Sequence, residues 1–204
     1  MTETEARPTF SIITTVSDST VGPTAPLTAM LTQQYDGYEV IVVNESTSEE
    51  YTDTLKRLRA EHRHLYTTFL PHYHFQKNRR RLAFSLGARA AKKQWLVFTD
   101  VTDAGLSDQW LTQLADACDE QTAVLLGYTN RKTGDVHLKS YTTLSEAAPT
   151  ISKTERRRVD AAHKNWLSFL LRNKAYDFIV TRAEEANEML RLFATEPKTV
   201  VPKE

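Results

Sequence analysis

An open, mostly parallel α/β sheet with helices on both faces is the architecture this 204-residue sequence predicts, and three observations point to it. Short β-branched runs that do not alternate, Phe10 to Val16 and Tyr38 to Val43, suit strands buried on both faces of a parallel sheet. Stretches of helical periodicity alternate with such runs, as βαβ units require. Polar residues gather just past three strand ends, where open α/β sheets bind their ligands: Thr14 to Asp18, Asn44 to Thr47, and Asp100 to Asp103.

Between the first two strands, Leu27, Met30 and Leu31 predict a helix over Pro26 to Gln34. Ser46 and Glu49 then stand at capping-box spacing, and Tyr51, Leu55 and Leu58 give the next helix its apolar stripe, ending near His62. A third strand is expected at Leu65 to Leu70. A helix from about Asn78 to Lys93 follows, with Leu82, Ala83, Leu86 and Ala90 on one face, and leads to the strand Trp95 to Thr99 with Asp100 at its carboxyl end. Ser107 is a good N-cap for a helix that carries Trp110, Leu111 and Leu114 inward. Ala123 to Tyr128 and Val136 to Tyr141 read as strands around the turn Arg131-Lys132-Thr133-Gly134. Beyond residue 143 the chain turns mainly helical. Capping-box pairs Ser152/Glu155 and Thr181/Glu184 predict helices at 153 to 172 and 182 to 194, around a strand Phe178 to Val180; Thr199 to Val201 could add an edge strand.

Basic and acidic residues balance at 26 each, so nothing in the net charge draws the whole molecule to nucleic acid or an anionic membrane. The single cysteine, Cys118, excludes an intramolecular disulfide and reads as a buried helical thiol. The opening MTETEARPT is polar and acidic, and no long apolar run follows. The expectation is therefore no signal peptide, no transmembrane segment, and a cytoplasmic location, free or peripheral to the inner face of a membrane.

The stretch "SIITTV…LTAMLTQQYDGYEVIVVNESTSEE" resembles the opening of family-2 glycosyltransferases of the GT-A fold, and "RRLAFSLGARAAKKQWLVFTDVTD" resembles that family's next segment, a basic, Ala-rich helix leading to a strand that ends in Asp-x-Asp. The likeness covers about residues 9 to 130. It implies a nucleotide-sugar-binding region there, after a flexible terminus at 1 to 8 and before a short, mainly helical region at 131 to 204 packed on the same domain. It further implies sugar transfer, with inversion, from a nucleotide-diphosphate donor to an acceptor such as a glycan or lipid-linked sugar. Carried over by position, Thr15, Asn44, Glu45, Arg81 and Asp100 are the residues that meet the donor. Mg²⁺ or Mn²⁺ is the implied cofactor.

Two departures stand out. Asn44 replaces the usual Asp, keeping hydrogen bonding and losing a charge. Thr102 replaces the second carboxylate of the metal motif, and a hydroxyl is a poorer ligand for a hard cation than a carboxylate. Asp103, one residue on, becomes the partner that Asp100 would need for a metal, provided the chain turns, since neighbouring side chains of an extended chain diverge. The degenerate motif leaves a second reading open: a catalytically inactive homologue that binds a nucleotide or a protein partner. No general base is assigned, because Glu184 and Glu185 follow a strand-like run but Glu184 is explained by capping.

The basic run Lys77, Arg79, Arg80, Arg81, Arg89, Lys92 and Lys93 reads at its start either as an electropositive mouth over a diphosphate or as a solvated helix face, and at its end as charges suited to the helix dipole. Without aromatic platforms it does not read as a nucleic-acid site. His72 and His74 share one side of an extended stretch, but no third zinc ligand stands at useful spacing. Arg156, Arg157 and Arg158 read as a solvated face, and Trp166 and Phe169 as core or as a partner surface.

Overall fold

The computed structural model describes residues 7–18, 20, 22–70, 79–100, 106–130, 133–147 and 176–194. The proposed helix at 153 to 172, the edge strand at Thr199, the two histidines at 72 and 74, and Thr102, Asp103, Arg156 to Arg158, Trp166 and Phe169 lie outside them.

Seven strands form one sheet in the order β3-β2-β1-β4-β7-β5-β6. β1 (Phe10–Val16), β2 (Tyr38–Asn44), β3 (Leu65–Phe69) and β4 (Trp95–Thr99) are mutually parallel, with β1 in the middle. The remaining three are β5 (Val124–Thr129), β6 (Val136–Tyr141) and β7 (Phe178–Arg182). β7 lies between β4 and β5, antiparallel to both, so β5 runs with the parallel group and β6 against it. The helices are α1 (Thr24–Leu31), α2 (Glu49–Glu61), α3 (Arg79–Ala90), α4 (Trp110–Ala115), α5 (Leu144–Ala147) and, after a 3-10 turn at Ala183–Glu185, α6 (Ala186–Ala194).

Strand alternation sorts the core into two layers. Phe10, Ile12, Val40, Val42, Val97 and Phe178 face α1, α2 and α4, where Leu27, Leu55 and Trp110 cover them. Ile13, Ile41, Leu96, Phe98 and Ile179 face the other way, against Phe84 of α3 and Met189 of α6. The first layer closes around Trp110, edge-on to Phe178 at 5.2 Å. Phe178 in turn occupies the space over Gly127, where a Cβ would lie 2.3 Å from the ring and 2.8 Å from Leu138.

α3 lies on β1 and β2 with no spare room. A Cβ on Gly87 would come within 2.3 Å of Ile13 Cγ2. Past the foot of the helix, buried Glu39 of β2 accepts hydrogen bonds from the Lys92 amide and the Ser11 hydroxyl, both at 2.7 Å, and Ser11 Oγ takes the Lys93 amide at 3.2 Å. A carboxylate buried this deeply is tolerable because donors surround it.

Several local expectations fail. Ser46 does not cap α2. Ser48 occupies the N-cap, without a side-chain cap bond, while the Ser46 hydroxyl donates to Asp18. Ser107 does not cap α4, which begins at Trp110; its carbonyl instead accepts Gln33 Nε2 at 2.8 Å. Thr181 belongs to β7, and its hydroxyl goes to the carbonyl of Ala123 at 3.1 Å, so no capping box with Glu184 forms. α1 is shorter than expected, ending at Leu31 because the Thr32 hydroxyl and Gln33 side chain turn back onto Thr28 and Ala29 carbonyls. On α3 the inward face is Ala83, Phe84 and Gly87, and Leu82 stands exposed.

At the foot of β2, His64 Nε2 donates to the Leu31 carbonyl at 3.1 Å, beside the Tyr38 hydroxyl that donates to the same oxygen at 2.8 Å. Burial pushes the His64 imidazole below its ordinary range; the Leu31 hydrogen bond opposes this, and neighbouring His62 adds to it.

Two outcomes follow from this packing. Gly87→Ala gains helix propensity but must displace the stiff Ile13 methyl, so urea unfolding is expected to show a net loss of roughly 1–2 kcal/mol. The folded chain favours neutral His64, hence its stabilisation is full above the unfolded value of about 6.5 and is lost as the pH falls below it. His64→Gln is expected to flatten that limb of the stability curve, measured by denaturation at a series of pH values.

Candidate functional site

The strand order reverses beside β1: β2 and β3 lie on one side of it and β4 on the other. In open α/β sheets such a reversal is where ligands settle, outside the carboxyl ends of the strands. Asp18 follows β1 there, and Asp100 ends β4.

The loops after β1 and β2 are joined by hydrogen bonds. The Glu45 amide donates to the Val16 carbonyl at 2.7 Å. Asp18 Oδ1 accepts the Ser46 hydroxyl and, at 3.0 Å, the Thr47 amide, and its Oδ2 takes the Thr47 hydroxyl at 3.2 Å. Ser46 Oγ then receives the Ser48 amide at 2.9 Å, and the Tyr51 hydroxyl reaches the Thr20 carbonyl. Asn44 folds its amide into the same loop, Oδ1 accepting the Ser46 N–H at 2.9 Å. That bond accounts for an asparagine at this position without any ligand.

Glu45 is only 8% exposed and pairs with Arg79, whose Nε lies 3.1 Å from Oε2. Arg79 also donates to the Leu70 carbonyl at 3.1 Å, so one guanidinium joins the end of β3, the loop after β2 and the start of α3. Arg81, named from the sequence, lies two residues along the helix. Residues so spaced do not share a face, and it is Arg79 that meets Glu45. A basic residue at a helix start was legible; that Arg79 is the one to meet Glu45 was not. Thr15 is buried in β1 beside these loops.

At the end of β4, Asp100 is partly buried, and its carbonyl accepts the Thr99 hydroxyl at 3.3 Å. The same hydroxyl lies 3.0 Å from the Asp177 carbonyl. Because Thr99 pairs with Phe178, the residue before β7 stands at the same end of the sheet as Asp100. Asp177 is held there by the Thr129 amide on Oδ2 at 2.9 Å and by its own amide on the Gly127 carbonyl at 2.7 Å. Nothing in the sequence marked Asp177, since the direction of a five-residue strand is not written in its composition.

That direction also moves the glutamates considered as bases. Arg182 pairs with Trp95, at the start of β4, so Glu184 and Glu185 lie about 17 Å from Asp100 at the extended-chain rise. Glu184 instead borders a cavity of about 1010 Å³ at the opposite pole, with Arg7, Gln94, Trp95 and Arg182. Arg182 there stacks 5.1 Å over Trp95 and donates to the carbonyls of Asp119 and Glu120 at 2.9 and 2.7 Å. With its Nε bond to the Thr122 carbonyl, three of its N–H donors go to backbone, which ties the segment after α4 to the end of β7. Cys118 is not on a helix as expected: it is half-buried, three residues past the end of α4, and burial, then the adjacent Asp119, pushes its thiol up to about 12, so it stays protonated.

The family model described as Glycosyl transferase family 2 matches residues 25–183. The mannosyltransferase PcManGT from Pyrobaculum calidifontis, in complex with GDP-Man and Mn²⁺, superimposes with a TM-score of 0.58 at 15% identity, over 91% of this chain and 47% of its own. TarS 1-349 from S. aureus gives 0.56 at 17% identity, over 88% and 48%. The chain thus spans about half the length of these structures, whose likeness is one of fold. No curated protein matches it.

Arg79→Ala removes the cation from a carboxylate that is almost fully buried, and is expected to cost on the order of 2–3 kcal/mol in urea unfolding. Arg81→Ala is expected to stay within about 0.5 kcal/mol.

Proposed function

The chain belongs to glycosyl transferase family 2, and from that premise we propose that it binds a nucleotide-diphosphate sugar across the carboxyl ends of β1, β2 and β4 and transfers the sugar, with inversion, to a glycan or lipid-linked acceptor. The sheet order supports this reading, because the reversal beside β1 brings Thr15, Asn44 and Glu45 to the same end as Asp100. Asn44 and Glu45 meet the nucleoside, with Thr15 beside them in the donor site. The amino terminus of α3, with Arg79 and Arg81 in its first turn, offers positive potential to the diphosphate.

The oxygen donors at the end of β4 suit a hard divalent cation, Mg²⁺ or Mn²⁺, for which Asp100 and Asp103 are the ligands proposed. Among the described residues no group of three metal-binding side chains converges. When bound, the cation neutralises charge developing on the leaving diphosphate. Asp100 itself is oriented by its strand end, where Thr99 ties β4 to the residue preceding β7.

A second reading, a nucleotide- or protein-binding homologue without catalysis, draws support from the Glu45–Arg79 pair. The carboxylate offered to the nucleoside already has a cation at 3.1 Å, and a ligand must compete with it.

Titration with UDP and GDP, with and without Mn²⁺, by calorimetry separates the two. A donor site is expected to bind one nucleotide at least tenfold more tightly with Mn²⁺, and Asp100→Ala to abolish that gain. Binding indifferent to metal favours the homologue without catalysis, and absence of binding overturns the donor reading.

A further inference from the structure

We infer that Asp18 is a positioning residue of the donor site, a latch that holds the loop after β1 and the loop after β2 as one rigid lip. The inference rests on the donor reading for its ligand but not for its geometry. Asp18 is exposed just past the carboxyl end of β1, the strand beside which the order reverses. It spends its carboxylate on the neighbouring loop: Oδ1 accepts the Ser46 hydroxyl and the Thr47 amide at 3.0 Å, and Oδ2 accepts the Thr47 hydroxyl at 3.2 Å, all from residues 28 or 29 positions away. These residues immediately precede α2, so the carboxylate also complements the positive end of that helix.

The consequence reaches Glu45. Its amide is fixed by the Val16 carbonyl on the strand side, and Ser46, the next residue, is fixed by Asp18. The backbone of Glu45 is thereby held on both sides, and its carboxylate presented at one place beside Arg79. Without Asp18, Ser46 and Thr47 lose their only cross-loop acceptor among the described residues, and a ligand must order the loop itself, which lowers affinity without new contacts being lost. Charge is secondary to geometry in this role. Asparagine supplies one acceptor oxygen for Ser46 Oγ and the Thr47 amide, and its NH₂ can donate to Thr47 Oγ1.

The experiment compares wild type, Asp18→Ala and Asp18→Asn in the full chain, by calorimetric titration with UDP and with GDP in the presence of Mn²⁺. Asp18→Ala is expected to weaken the tighter nucleotide roughly tenfold, the scale of losing hydrogen bonds to a charged acceptor. Asp18→Asn is expected to bind within about threefold of wild type, with melting temperatures of the free proteins little changed. Alanine binding as wild type overturns the latch, and so does asparagine losing as much as alanine, which makes the charge itself the contact. Should wild type bind neither nucleotide, the donor reading fails and amide hydrogen exchange decides the latch. Thr47 exchange must then quicken in Asp18→Ala and not in Asp18→Asn; unchanged protection in alanine overturns it.

Discussion

The seating of α3 on the sheet is the constraint on which the rest depends. Gly87 lets the helix backbone come down onto Ile13, closer than any side chain permits, and two buried carboxylates then fix its ends. Glu39 holds the chain just past its foot through the Lys92 amide, and Glu45 holds its first residue through Arg79. Both glutamates come from β2 or the residue just beyond it, so a single strand sets both the depth and the lengthwise position of the helix. Phe84 and Ala83 fill the second layer only because that position is set.

Much of this was legible in the sequence. β1, β2 and β4 were readable because strands buried on both faces leave unbroken apolar runs, and so was the position of Glu45 and Asp100 just past two strand ends. What escaped was whatever depended on a partner remote in the chain. Ser46, Ser107 and Thr181 carry capping residue types, yet their sites are determined by Asp18, Gln33 and Ala123. Leu82 and Phe84 sit two apart on α3, and only the contour of the sheet decides which is inside. Likewise "FIVTR" announces a strand but not its direction, and with the direction go the places of Asp177 at one pole and Glu184 at the other.

The poles differ in chemistry as a result. At the carboxyl ends of the parallel strands, carboxylates and hydroxyls are arranged around loops that end on helix starts. At the other end, Arg182, Trp95 and the carbonyls after α4 lock together, and the half-buried thiol beside them stays protonated.

The place of β7 also imposes an order on folding. β4 and β5 are neighbours but one in the finished sheet, and the strand that separates them comes from residues far downstream, Thr99 meeting Asp177 across 78 positions. β1 to β4 can assemble from successive βαβ units, whereas the β5–β6 hairpin has no seat in the sheet until Phe178 arrives to lie over Gly127. Closure of that long loop is a non-local pairing, and until it is made β4 presents an edge of unpaired backbone groups. On a ribosome the exposed edge lasts for the synthesis of those residues, an interval of seconds at about 5–20 residues per second.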